Sequence, residues 1–136
     1  MLRSAEPSMS PDLQFAYESG CLVVHARGRY LIQHRETAIK AIAHAAKARP
    51  VGAVLVDMRA LKGPYKFADR YQLGELGGRY LNFVPVACLT LPEQADPERI
   101  GQIVANNRGA KVEVFTDEAA AHAWLKQFQT AANSAP

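Results

Sequence analysis

Val51-Gly52-Ala53-Val54-Leu55-Val56-Asp57 is a nearly unbroken apolar run that ends on an acid. A strand covered on both faces has this composition, because neither side meets water. Pro50 stops the helix before it, and Met58 to Pro64 follow as an expected loop leading to a helix from about Tyr65. A buried strand that feeds a helix belongs to a parallel sheet with crossover connections.

Upstream, Leu13, Phe15 and Tyr17 alternate with Gln14 and Ala16, and Leu22, Val24 and Ala26 form a second alternating run. Glu18-Ser19-Gly20 lies between them as the turn of an antiparallel hairpin, and Gly28 is expected to end its second strand. Ile39, Ile42, Ala43 and Ala46 recur at helical spacing within about Gln33 to Ala48. Downstream, Phe67, Tyr71 and Gly74 share one helical face, and Val84 to Leu89 is the next buried strand. Asp96-Pro97 predicts a capped helix start, with Ile100, Ile103, Val104 and Asn107 on its stripe and Gly109 as a left-handed stop. Val112 and Val114 alternate with Lys111 and Glu113, as in a half-solvated edge strand. Thr116, with Asp117 and Glu118, begins a last helix whose buried face is read as Ala120, Trp124, Leu125 and Phe128. The expected fold is α/β: a mixed sheet of about five strands, an antiparallel hairpin followed by parallel β-α units, with about four helices.

At 136 residues and 49% hydrophobic, the chain can bury one ordinary core without disulfides. The expected domain is 11–129, between disordered tails at 1–10 and 130–136. The first of these tails is rich in serine and proline, and the second is Ala- and Asn-rich without a pattern. A net charge of +3 is too small and too dispersed for a nucleic-acid binder. Cys21 and Cys88 lie far apart inside expected strands and read as free buried thiols. With no secretory pattern and no apolar run near the roughly 20 residues of a membrane span, a cytoplasmic location is expected. His25, His34, His44 and His122 fall outside metal-ligand spacings. Nucleophile-elbow, phosphate-loop and dinucleotide motifs are absent from the sequence. Gly74-Glu75-Leu76-Gly77-Gly78 does not follow a strand, so it reads as small residues that let helices pack closely before a helix end. Neither an enzyme, a cofactor nor a metal is expected.

The order of these pieces resembles the STAS family of sulphate transporter and anti-sigma factor antagonist domains, in particular its bacterial single-domain branch. The residues that carry the resemblance are the hairpin ending in Gly28, Val54-Leu55-Val56-Asp57, Val112-Glu113-Val114-Phe115-Thr116-Asp117, and Ala121-His122-Ala123-Trp124-Leu125. The resemblance implies a non-enzymatic regulatory module that binds a protein partner. In the family's antagonists a serine at the start of the helix after the central strand is phosphorylated, which adds charge and blocks the partner. Here the matching segment, Asp57-Met58-Arg59-Ala60-Leu61-Lys62-Gly63-Pro64-Tyr65, holds no Ser or Thr. Lipid-binding domains of the SEC14 type share a similar sheet topology, so a carrier or sensor of a small anionic or apolar, lipid-like ligand is the alternative.

The candidate site is the basic junction after the central strand. Arg59, Lys62, Lys66 and Arg70 bring four positive charges within twelve residues, opposed by Asp69 alone. Cations at a helix N-terminus oppose its dipole, and a bound anion on the free N–H groups would relieve that cost. The same charges also read as a solvated loop. Asp57 closes the central strand in this reading, and either lines a site beyond the strand ends or pairs with Arg59. Lys111 to Phe115, with Phe115 on the exposed face, suggests a homodimer through an edge strand.

Overall fold

The computed structural model describes residues 12–63 and 65–133, with side chains to 128. The expected tail at 1–10 and the place of Pro64 at a helix start lie outside the described residues. Five strands, β1 (Asp12–Glu18), β2 (Cys21–Arg29), β3 (Ala53–Lys62), β4 (Val86–Leu89) and β5 (Val112–Phe115), form one sheet in sequential order. Four α-helices follow in the chain: α1 (Arg35–Ala48), α2 (Phe67–Tyr80), α3 (Ile100–Asn107) and α4 (Glu118–Asn133). The last helix thus runs past the expected domain boundary at Gln129.

β1 and β2 pair antiparallel, and every later pair is parallel. The hairpin turns on Ser19 and Gly20, whose φ values of 52° and 77° are the left-handed pair that a tight two-residue turn requires. The three parallel connections all step the same way across the sheet. Right-handed crossovers then place α1, α2 and α3 on one face. Their core comprises Leu22 and Val24, Ile42, Ala43 and Ala46, and Val54 and Val56, joined by Leu81 and Val86. The opposite face, with Cys21, Val23, Ala53, Leu55 and Ala87, is covered by Ala121 and Leu125 of α4. Cys21 and Cys88 are both free, in β2 and β4.

Several expectations change. β3 does not stop at Asp57; it continues beside β2 to Lys62, so the expected loop at Met58 is strand. A one-residue bulge between His25 and Arg27 accommodates the shift, and β2 runs through Gly28 (φ 96°) to Arg29. α3 begins at Ile100 because Arg99 adopts a left-handed φ of 54°; Asp96 still caps it by accepting from the N–H groups of Glu98 and Ile100. The helix turns Val104 and Ala105 inward and leaves Ile103 and Asn107 exposed. This rotation follows from the glycines of α2, which admit the α3 backbone closely. In α4, Ala121 rather than Ala120 is buried, over the small residues Ala53 and Ala87. Trp124, expected to be largely buried, is half-buried, packed between Phe115 at 5.8 Å and Phe128 at 5.0 Å. Phe115 is therefore half-buried too, and not on an open face.

Candidate functional site

The sheet face beneath α1, α2 and α3 is not filled. A cleft of about 460 Å³ lies between the helices and the strands. Its floor is Val56, Met58 and Leu61 of β3, Val86 and Cys88 of β4, and Val112 and Val114 of β5. The bulge in β3 is what lets both Met58 and Leu61 face this side. Its roof is Ala38, Ile39 and Ile42 of α1, Leu73, Gly74 and Gly77 of α2, and Gly101 and Ala105 of α3. Small residues on three facing helices leave volume that larger side chains would take. A concave, mainly apolar space with a few polar groups is the ordinary form of a small-ligand site. Cys88 lines this space, and desolvation pushes its thiol up to about 11, so it is a neutral wall group.

The polar groups of the cleft gather at the end near the start of α2. Arg35 Nη1 donates to Tyr30 Oη at 3.2 Å and to the buried Asp69 Oδ1 at 3.4 Å. Asp69 Oδ2 accepts from the Lys66 backbone N–H at 2.9 Å, which fixes the first turn of α2. Tyr65 packs at 5.1 Å from Tyr30 with the rings tilted by 45°, and it donates its hydroxyl to the Leu61 carbonyl at 3.0 Å. Burial pushes both phenols up, Tyr65 to about 12, so both are hydrogen-bond donors at neutral pH. Gln94 Nε2 donates to the carbonyls of Met58 and Leu61, pinning the loop after β4 over the end of β3. Arg70 Nη2 donates to the Gln94 carbonyl at 3.3 Å, and its guanidinium lies 5.8 Å from the centre of the Tyr65 ring.

The geometry divides the five residues of the basic junction. Asp57 and Arg59 lie on the α4 side of the sheet, bound to each other. Arg59 Nε and Nη2 donate to the two Asp57 oxygens at 3.0 and 2.8 Å, and Nη1 reaches Glu118 of α4 at 3.2 Å. The Arg59 hydrogen bonds hold the Asp57 carboxyl below its ordinary value, against the upward push of burial. His25, its register partner on β2, adds a contact to Asp57 at 3.4 Å. Arg70 is separate from this pair, in the wall of the cleft. Lys62, at the end of β3, and Lys66, just before α2, are exposed. Sequence reasoning missed Tyr30, Arg35 and Gln94. Their meeting depends on three loops, and the one local signal was an acid at the third position of α2. Among the described residues no three His, Cys, Asp or Glu side chains are placed to hold a metal ion, and no helix is long and apolar enough to cross a membrane.

No family model and no curated protein matches the chain. Solved structures do match. An anti-sigma factor antagonist from Mycobacterium paratuberculosis aligns with a TM-score of 0.59 at 11% identity, over 86% of this chain and 95% of that one. An uncharacterized protein of the DUF3478 family with a SpoIIAA-like fold, from Shewanella loihica PV-4, aligns with a TM-score of 0.53 at 19% identity, over 87% of this chain and 97% of that one. The chain has a STAS-like, SpoIIAA-like fold; at these identities the likeness is one of fold.

Proposed function

We propose that this protein is a non-enzymatic binding module of STAS-like fold that holds a small, largely apolar ligand between its sheet and helices α1 to α3. The observation that carries this reading is the apolar cleft of about 460 Å³, within the size range of small-molecule sites. A protein that worked only through its surface would gain by filling that space, since unfilled volume forfeits dispersion contacts. The segment matching the phosphorylated site of antagonists holds no Ser or Thr, which leaves a serine-type phosphorylation switch there without its acceptor. The test is titration of an environment-sensitive apolar dye, 8-anilinonaphthalene-1-sulfonate, into wild type and an Ala38→Phe variant that fills the roof. Wild type should bind saturably, and the variant, folded by circular dichroism, should bind at least tenfold more weakly. Equal binding by both would place the dye elsewhere and remove the support for this reading.

A second reading, a regulatory module with a protein or small-anion partner at the basic junction, is favoured by one observation. Phe67 is 63% exposed and packs on Tyr71 at 6.3 Å, beside the exposed Lys62 and Lys66. Exposed aromatic area next to exposed cations suits an acidic, partly apolar partner segment. Calorimetry of phosphate, sulfate and an acidic peptide with wild type and Lys62→Ala/Lys66→Ala decides it, and equal or absent binding in the two proteins would reduce the junction to a solvated loop.

A further inference from the structure

Three arginines line the cleft: Arg35, Arg70 and Arg99. Arg35 is neutralised by Asp69 at 3.4 Å, and Arg99 by Glu113 at 3.5 Å. Arg70 has no carboxylate within ion-pair distance among the described residues. The acid that its charge reaches, Asp96, has both oxygens turned to the backbone N–H groups of Glu98 and Ile100, at 3.0 and 2.9 Å. Among the described residues the Arg70 guanidinium, with five N–H donors, makes one hydrogen bond, to the Gln94 carbonyl at 3.3 Å. A half-buried guanidinium at an apolar wall keeps its charge, loses part of its hydration, and is left with an unmet demand for an anion.

We propose that the cleft takes an amphipathic anion, its apolar tail along the floor of β3 and β4 and its carboxylate or phosphate head on Arg70. This inference rests on the ligand-binding reading above and names the ligand class. A guanidinium meets either head group with two parallel hydrogen bonds, which gives orientation as well as attraction. Tyr30 and Tyr65, with ring centres 5.1 Å apart, stand beside this end of the cleft as neutral apolar walls with polar tips. The floor of β3 and β4 and the roof of α1 to α3 offer aliphatic side chains and the neutral Cys88 thiol, which suit a hydrocarbon tail, while Thr90, Gln102 and Thr116 add polar groups elsewhere in the lining.

The test is calorimetric titration of decanoate, decyl phosphate and the uncharged decanol into the full-length wild type, Arg70→Gln, and Arg99→Gln. In wild type the anions should bind at least tenfold more tightly than decanol, in line with the strength of a charge-assisted hydrogen bond. Arg70→Gln should erase that preference while still binding decanol. Arg99→Gln should keep it, because Arg99 is already paired with Glu113. Comparing decanoate with decyl phosphate separates a carboxylate head from a phosphate head. If decanol binds as well as the anions, or the preference survives in Arg70→Gln, the head-group assignment falls while the apolar site stands. If no probe binds wild type at all, the ligand-binding reading falls and takes this inference with it.

Discussion

The pair Asp57 and Arg59 shows how much one residue's neighbours decide. The structure continues β3 past Asp57 to Lys62 and so sets the two on one strand face; in the sequence their pairing was legible as one of two alternatives. The contact to His25 was not, because it depends on the register between β2 and β3. Asp57 is nearly buried and its carboxyl is held below 3.8 by the Arg59 hydrogen bonds. A depressed carboxyl stabilises the fold above its unfolded pKa, and that contribution disappears as the pH falls through the folded value. Arg59→Met should therefore cost about 1 kcal/mol at pH 7, a modest figure because Arg59 is over one-third exposed. The gap between variant and wild type should be smaller in acid, below the ordinary carboxylate range, than at pH 7. Urea unfolding at the two pH values measures this, and a gap that stays constant would show that Asp57 does not carry the effect. Trp124 teaches the converse. Its size and place on the helix predict burial, yet it sits half-exposed between two phenylalanines. Trp124→Ala should cost about 2 kcal/mol in denaturant unfolding, less than the ~3–5 kcal/mol of a fully buried aromatic.

At the scale of elements, periodicity and unbroken apolar runs identified the five strands and four α-helices of the described residues, because each buries one face or both against a neighbour. Boundaries failed where tertiary pairing overrode local signals: β3 outruns its apolar run because β2 offers it a partner as far as Arg29. The contact between α2 and α3 is the sharpest case of residue type serving an element. A methyl group on Gly74 would lie 2.5 Å from the Gly101 carbonyl oxygen and 2.8 Å from Val104 Cβ. On Gly78 it would lie 2.6 Å from Arg108 Cβ, whereas on Gly77 it meets only Ala105 Cβ at 3.8 Å. The three glycines look alike in sequence and differ in what stands opposite. Gly74→Ala should force the helices apart and destabilise by roughly 1–3 kcal/mol. Gly77→Ala should be neutral or stabilise by up to about 1 kcal/mol, since alanine is the better helix former and the space exists. Thermal unfolding of the two variants compares them directly. Equal losses in both would mean that the α2–α3 approach is looser than these distances state.

For the whole molecule, the cleft was out of reach of the sequence, because a cavity is a shortfall summed over residues on separate helices and strands, and no single position announces it. Association with a second copy turns on the two edges of the sheet. The sheet ends at β1 and β5, and β5 was the edge expected to pair. Lys111 and Phe115 turn their carbonyls inward to Val86 and Thr90 of the β4 side. Three of the backbone groups of Val112 and Val114 that a second chain would need are already engaged by side chains of α3. Asn106 Oδ1 accepts from the Val112 N–H at 2.8 Å, Asn106 Nδ2 donates to the Val112 carbonyl at 3.2 Å, and Gln102 Oε1 accepts from the Val114 N–H at 2.9 Å. Side chains thus take the place of a next strand, which is one way a fold protects an open edge. Phe115, the aromatic expected to seal a dimer, is spent on Trp124. The expected outcome is a wild type that does not dimerise through β5. Asn106→Ala/Gln102→Ala should free three backbone groups on one short edge and shift the protein toward self-association. Light scattering at high micromolar concentration should give a monomer mass for wild type and a rising, concentration-dependent mass for the double variant. A wild-type dimer that Asn106→Ala/Gln102→Ala leaves unchanged would place the contact on another surface, with β1 and its exposed Phe15 the next edge to test.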